Sequence, residues 1–237
     1  MIRLSGLAFI SLPTPNTREF LFYRNPSADT RLDLKEFDND FIENTKVFHF
    51  GSITLINEPS KSSTLKAVKI AKDAGAVISY DPNLRLKLWP NAKTAKKEIN
   101  ATLPLADVVK VNDEELFFLT GKDDVKKAMD EILFKGPGLC LVTQGEKGCY
   151  YKTNNYFGKF NAYKVDAVDS SGCGDSFVSS ILVKIIDNDF KKIILNKDIM
   201  LSTIKFASGA AAITSTKKGV ISSLPNKNEV EKFLYNK

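Results

Sequence analysis

Cysteine and histidine are scarce in this sequence. The three cysteines, Cys140, Cys149 and Cys173, are odd in number and lack the spacing of zinc ligands, which indicates a reducing compartment without a disulfide framework. The only histidine, His49, excludes a multi-histidine metal site and a serine–histidine pair elsewhere in the chain. Because His49 lies in the apolar run at residues 47–50, we interpret it as a strand residue.

Long apolar runs and blocks of one charge are also missing. The chain has no apolar run of about eighteen residues, so we expect no membrane partner. Its 34 Lys and Arg residues are interleaved with 28 Asp and Glu residues, and the net charge is +6. This mixed surface favours small anionic molecules over nucleic acid as partners. The 237 residues suffice for one large α/β domain, alone or with a small appendage.

Strand-like and helix-like segments alternate along the chain. Apolar runs at residues 2–12 and 18–24 flank a proline-rich turn at residues 13–16, which predicts a hairpin. We expect further strands at residues 47–51, 76–80, 106–111 and 139–143, with one or two more within 157–168. Helices are expected at residues 60–73, 94–103, 113–121, 125–134, 176–186, 199–215 and 226–235. The alternation predicts an α/β fold with a mainly parallel sheet covered on both faces.

Polar clusters follow several of these strands. Residues 81–85, 112–115 and 144–148 each come directly after a buried strand, and the segment at 169–175 is a fourth such cluster. In a parallel sheet the carboxyl ends of strands lie on one rim, so the clusters predict one composite ligand site. The loop at residues 24–29 contains Arg, Asn and Asp; it could bind a polyhydroxyl ligand or be an ordinary surface loop.

The segment from Asp169 to Asp175 is the strongest chemical signal. Gly172 and Gly174 flank Cys173, and an apolar helical run follows. The first N–H groups of a helix lack internal partners, which suits an anion, and Asp175 could accept a proton beside it. Phosphoryl transfer to a hydroxyl needs both features. A capped helix after a glycine-containing loop remains an open alternative, and the segment matches neither a Walker A loop nor the dinucleotide fingerprint.

The same residues resemble a known family. Asp169-Ser-Ser-Gly-Cys-Gly-Asp175-Ser-Phe resembles the D-T-T-G-A-G-D-x-F signature of PfkB-type, ribokinase-like sugar kinases. Three further segments look like plant-type fructokinase in particular: Tyr80-Asp-Pro-Asn-Leu-Arg-Leu-Lys-Leu-Trp89, Phe22-Tyr-Arg-Asn-Pro-Ser-Ala-Asp29 and Leu141-Val-Thr-Gln-Gly-Glu-Lys-Gly-Cys149. The resemblance runs from the first strand to the last helix.

The resemblance implies a fold, a reaction and cofactors. The fold would be a ribokinase-like three-layer α/β/α sandwich, with a partial β lid and loop at residues 1–30 and the kinase domain at 31–237. The reaction would be transfer of the γ-phosphoryl group of ATP to a primary sugar hydroxyl, namely O6 of D-fructose. Mg²⁺ and a monovalent cation, K⁺, would assist. Relative to the family, we expect the first βα units to be absent, because the chain begins at the lid strand.

The resemblance also implies residue roles. Asp175 would be the catalytic base, and the N–H groups of Gly172, Cys173 and Gly174 would form the anion hole. The remaining roles group by ligand: Asn112 and Glu115 for Mg²⁺ and phosphates; Thr143, Gly145, Gly174 and Ser208 for ATP; Arg24, Asn25, Asn83 and Arg85 for the sugar and phosphoryl site; and Asp169, Ser171, Thr214, Lys217, Gly219 and Ser223 for K⁺. Cys173 stands where the family has Ala, and Gln144 where Leu is common.

Two alternatives of function stay open. The chain could be a kinase-derived binding or scaffold protein without turnover, or another PfkB sugar or nucleoside kinase. The resemblance further implies a homodimer paired through the lid strands and a cytosolic location, with a plastid location left open.

Overall fold

The computed structural model describes residues 4–14, 17–24 and 27–237, and side chains at 11–14 and 17–20 are outside the description. The strands are β1 (Leu7–Thr14), β2 (Thr17–Tyr23), β3 (Val47–Gly51), β4 (Val77–Asp81), β5 (Val108–Asn112), β6 (Leu139–Thr143), β7 (Cys149–Lys152) and β8 (Phe157–Phe160). The helices are α1 (Asn39–Glu43), α2 (Ser60–Asp73), α3 (Ala92–Thr102), α4 (Asp113–Thr120), α5 (Val125–Phe134), α6 (Cys173–Asn188), α7 (Phe190–Leu195), α8 (Lys197–Ser215) and α9 (Lys227–Tyr235). Short 3-10 turns link several of them.

The central sheet has the strand order β3-β4-β5-β6-β7-β8. Strands β3 to β6 are parallel, and β7 and β8 join antiparallel to β6 and to each other. The direction changes after β6 because only a short turn, Gly145–Lys147, separates β6 from β7. A parallel crossover needs a dozen or more residues, whereas a short turn can only reverse the chain.

Each face of the sheet carries its own core. On one face, Ile78, Val109 and Val142 pack against α2, α3, α4 and α5. On the other face, Val108, Leu141 and Tyr151 pack against α6, α7 and α8. Side chains alternate between the two faces along each strand, so neighbouring residues belong to different cores. The result is the three-layer α/β/α arrangement expected from the sequence.

Polar residues at the helix starts explain several element boundaries. Asn112 and Glu115 form a reciprocal capping box at α4, and Asn226 and Glu229 form another at α9. Asn196 accepts hydrogen bonds from the N–H groups of residues 198 and 199 at α8. These caps satisfy helix N–H groups that have no partner within the helix, and so they determine where each helix begins.

Several boundaries differ from those expected. Helix α6 begins at Cys173 rather than Ser176, so the glycine loop merges with its first turn. Within 157–168 there is one strand, β8, in agreement with the one or two expected, and Val168 instead donates its N–H to the carbonyl of Ser215, 2.7 Å away. Short helices α1 and α7 were not expected, since five or six residues carry too little periodicity to be recognised. The fourth polar cluster therefore does not directly follow a strand.

Strands β1 and β2 form a separate antiparallel ribbon. The expected hairpin is present, although β1 begins at Leu7 and part of the expected turn, residues 15 and 16, lies outside the described residues. The segment after the ribbon is tied to α2, because the Ser60 hydroxyl donates to the carbonyl of Asp29 at 2.9 Å. In the part of the chain that the structure describes, no helix is both long and apolar enough to cross a bilayer.

Candidate functional site

The glycine loop forms an open helix start. Gly172 is the N-cap of α6 with φ +78°, and it offers no side-chain cap to the N–H groups of the first turn. A Cβ on Gly172 would lie 2.7 Å from Cγ1 of Val220, so both the backbone angle and the available space require glycine. The exposed side chain of Asp175 lies in that first turn. The positive end of a 16-residue helix and a carboxylate therefore share one edge of the molecule.

A buried ion pair lies beneath this loop. Lys110 in β5 and Asp81 at the end of β4 pair at 2.9 Å, with side chains only 10% and 6% exposed. A Cβ on Gly174 would lie 3.1 Å from Nζ of Lys110, which places the ammonium directly against the first turn of α6. The pair therefore joins the carboxyl ends of two parallel strands to the glycine loop.

His49 belongs to the same group of side chains. It stands one strand further along the sheet, and its Nδ1 lies 3.0 Å from the hydroxyl of Ser79. Partial burial lowers the pKa of His49, while the carboxylates of Asp81 and Asp175 oppose this shift and Lys110 adds to it. The strand position of His49 was expected, but its proximity to charged groups was not.

Asn112 and Glu115 hold the rim together. The Glu115 carboxylate accepts the N–H of Asn112 at 2.9 Å and the N–H of Leu84 at 2.7 Å, while the Asn112 side chain accepts the N–H of Glu115. Burial raises the pKa of Glu115. Each oxygen of the carboxylate accepts one backbone N–H, so Glu115 holds the loop after β4 against the start of α4. Among the described residues, no three His, Cys, Asp or Glu side chains cluster as a metal site.

The residues expected at a monovalent cation lie on two adjoining loops. Asp169 accepts the N–H of Ser171 at 2.8 Å with one oxygen and the N–H of Gly219 at 3.2 Å with the other. The second of these bonds joins the loop at Asp169 to the loop at Gly219. Lys217 lies on the same loop as Gly219, directly after α8, where its N–H donates to the carbonyl of Thr214 at 3.5 Å.

Two hydroxyls in the expected cation set have other partners. Thr214 donates to a backbone carbonyl within α8, and its oxygen lies 3.0 Å from the hydroxyl of Ser176. Ser223 donates to the carbonyls of Gly219 and Val220 at 2.8 and 2.7 Å. Thr214 therefore links α8 to α6, and Ser223 closes the loop at residues 219–223.

The residues expected to bind ATP are spread along the same side. Thr143 ends β6 opposite Asn112 of β5, and Gly145 follows with φ +56°. Ser208 is buried in α8, where it forms a hydrogen bond with the thiol of Cys149. The neighbouring Gly209 packs closely against α9, because a Cβ there would lie 3.1 Å from the Leu234 side chain.

The residues expected at the sugar divide into two places. Arg24 forms an ion pair with Asp29 and lines a cavity of about 350 Å³ between the ribbon and Ile53. Asn83 and Arg85 lie instead on the loop after β4, where Asn83 adopts φ +45° and donates its N–H to Asp81 at 3.1 Å. Asn25 lies outside the described residues.

Sequence reasoning missed Lys110 and Asp81 as a pair. One signal was present: Lys110 is the only charged residue within the apolar strand at 108–111. Lysine is almost never fully buried without a partner, so such a residue indicates a buried acid nearby. The sequence did not indicate which acid.

The site has the parts of an α/β phosphate-handling enzyme: an open helix start, a carboxylate beside it and polar strand ends on the same rim. The profile of the "pfkB family carbohydrate kinase" matches residues 3–227. A protein named "Probable fructokinase-4" from Arabidopsis thaliana is 47% identical over 97% of this chain and 70% of its own length. This chain therefore belongs to the pfkB family of carbohydrate kinases.

Solved structures agree with this assignment. A fructokinase from Xylella fastidiosa with bound ATP superposes with a TM-score of 0.91 at 28% identity, over 99% of this chain and 74% of that one. A fructokinase double mutant from Vibrio cholerae, in a form with bound fructose, ADP and potassium ion, gives a TM-score of 0.86 at 30% identity, with the same coverage. The expected family and the ribokinase-like fold class are thereby confirmed.

Proposed function

We propose that this protein transfers the γ-phosphoryl group of ATP to O6 of D-fructose. The observation that carries the proposal is the first turn of α6, where Gly172 provides no side-chain cap and the exposed carboxylate of Asp175 adjoins the helix start. The plant relatives named as fructokinases, 43–47% identical, support fructose as the sugar. The proposal uses the chemistry of the site for the reaction and the relatives for the substrate.

In the proposed step, the sugar oxygen attacks the γ-phosphorus while its proton passes to the Asp175 carboxylate. The bond from the γ-phosphorus to the bridging oxygen breaks, and its electrons leave with ADP. The N–H groups of Gly172, Cys173 and Gly174 stabilise the charge on the transferred oxygens. Such a transition state depends on positioning and electrostatic stabilisation, which a rigid helix start supplies.

The remaining residues are assigned to binding. Glu115 and Asn112 would position hydrated Mg²⁺, which neutralises phosphate charge when bound. Asp169 and the loop around Gly219 would hold K⁺. Thr143, Gly145 and Ser208 would adjoin the nucleotide, and the cavity lined by Arg24 would receive the sugar beneath the ribbon.

We also propose that the β1–β2 ribbon acts as a lid and as a dimer contact. Leu7, Phe9, Leu21 and Tyr23 are each more than half exposed, and their register places them on one face of the ribbon. An exposed apolar patch of this kind often marks an interaction site. A cytosolic location would agree with the buried thiols of Cys140 and Cys149.

The proposal is tested by a coupled assay of ADP release with MgATP and KCl. Fructose is compared with ribose, adenosine and 2-keto-3-deoxygluconate at equal concentrations. We expect fructose to give the highest kcat/KM, with a loss of rate when LiCl replaces KCl. A preference for another acceptor would overturn the choice of sugar. If ATP binds and no acceptor is phosphorylated, the kinase proposal fails, and the binding-protein alternative takes its place.

A further inference from the structure

Lys110 is a cation in a place that normally excludes one. It lies within β5 between Val109 and Val111, and only 10% of its side chain is exposed. Its ammonium pairs with Asp81 at 2.9 Å, which offsets part of the cost of burial. A buried ion pair is often no more stabilising than a well-packed apolar pair, so stability alone does not account for this one.

The Lys110 ammonium lies against a second source of positive charge, the N-terminus of α6. Nζ lies 3.1 Å from where a Cβ on Gly174 would be, immediately against the first turn of α6. The N-terminus of a helix carries partial positive charge, so the ammonium and the helix start repel each other in the absence of an anion. Asp81 supplies one negative charge below them. A phosphoryl group bound above the loop would be attracted to both positive features.

We propose that Lys110 is an electrostatic positioning residue for the transferred phosphoryl group. Its charge, held by Asp81 beneath Gly174, adds to the N–H groups of the glycine loop and strengthens the anion hole from the side away from solvent. The inference rests on the proposed phosphoryl transfer and deepens it. The absence of a side chain at Gly174 leaves room for the ammonium, because a Cβ there would lie 3.1 Å from Nζ of Lys110.

The test compares two variants that both lack the Asp81 carboxylate. In Asp81→Asn, the amide oxygen can still accept the N–H of Asn83, which Asp81 accepts at 3.1 Å. Asp81→Asn/Lys110→Met differs from it only by the missing ammonium and leaves no buried charge without a partner. Circular dichroism and thermal unfolding check that both variants fold. If the double variant does not fold, Asp81→Asn/Lys110→Gln replaces it.

We expect the double variant to have a kcat about 10–100-fold below that of Asp81→Asn, with KM for fructose changed less than about twofold. The loss should be below the factor of about 10²–10³ that removal of a directly contacting oxyanion-hole donor costs, because Lys110 acts from beneath Gly174. Lys110→Arg in the Asp81→Asn background keeps the positive charge, so it should recover part of the kcat that the double variant loses. Equal kcat in the two Asp81 variants would overturn the inference, because Lys110 would then only neutralise Asp81. That result would leave the proposed function intact.

Equilibrium binding separates the two proposals. Calorimetry measures MgATP and MgADP affinity for the same two variants. Because the charge acts on the γ-phosphoryl group, we expect removal of the ammonium to weaken MgATP binding about tenfold and MgADP binding much less. If the unmodified protein phosphorylates no sugar, the proposed function fails, and this difference in affinity alone decides the inference. Equal losses for both nucleotides would overturn it.

Discussion

The substitution Asp175→Asn should reduce catalysis without disturbing the fold. The substitution keeps the size of the side chain and removes the group that would accept the proton of the sugar hydroxyl. Removing a positioned general base typically costs about 10²–10⁴ in rate, or about 3–5 kcal/mol of transition-state stabilisation. We therefore expect kcat to fall by that factor, while KM for MgATP changes little, because the N–H groups of the loop remain.

The cost to stability should be much smaller. Asp175 is exposed and lies in the first turn of α6, where a negative charge stabilises a helix by about 0.3–1 kcal/mol. Asn removes the charge and leaves the core contacts of Ser176 and Phe177 unchanged, so the free energy of unfolding should fall by less than about 1 kcal/mol. Urea unfolding followed by circular dichroism measures this change.

Asp198→Asn provides a matched control. Asp198 is also exposed and acidic in a first helical turn, that of α8, and it is outside the candidate site. It should show the same small loss of stability with kcat unchanged. The assignment of Asp175 as base would be refuted if Asp175→Asn kept more than about half of the kcat. Equal loss of kcat in both variants would point to a general helix effect instead.

Two further predictions follow from protonation and exposure. The pKa of His49 is lowered in the folded protein, so the unfolded chain takes up the proton first as pH falls through about 6.5. The free energy of unfolding should therefore decrease as pH falls from about 7 to about 5. His49→Gln should lose less stability over this range, as measured by urea titrations. An unchanged slope in the variant would contradict this. Burial raises the pKa of Cys149 to about 12 and that of Cys140 well above its ordinary range. A thiol reagent at pH 8 should therefore label Cys173 alone, which is only partly buried, as measured by mass spectrometry. MgATP should slow this labelling. Labelling of Cys140 or Cys149 in the folded protein would contradict their burial. No effect of MgATP would contradict the placement of Cys173 at the nucleotide site.

Much of the fold could be predicted because its signals are local. The strands β3 to β6 and the helices between them follow from apolar periodicity with polar caps, such as Asn112 at α4. The glycine loop was recognised because Gly172 and Gly174 stand before an apolar helical run. The short helices α1 and α7 escaped prediction, since tertiary contacts stabilise them more than their own sequence does.

The site could be predicted only as a set of clusters on one rim. The cluster at 112–115 was recognised, but the bond from the Leu84 N–H to the Glu115 carboxylate joins residues 31 apart in sequence and was not. Arg24 and Arg85 were grouped as substrate residues, and the structure places them in different loops. Chain order shows which residues follow strands, but not which of them meet across strands.

The sequence by itself determined the family, the alternation of strands and helices, and the position of the glycine-flanked helix start, because each depends on neighbouring residues. Only the tertiary structure decided that Lys110 and Asp81, which are 29 residues apart, pair beneath Gly174. That contact depends on the register of β4 against β5 and on the packing of α6 over the sheet. Periodicity indicates which face a side chain occupies, whereas long-range packing determines the charge it meets there.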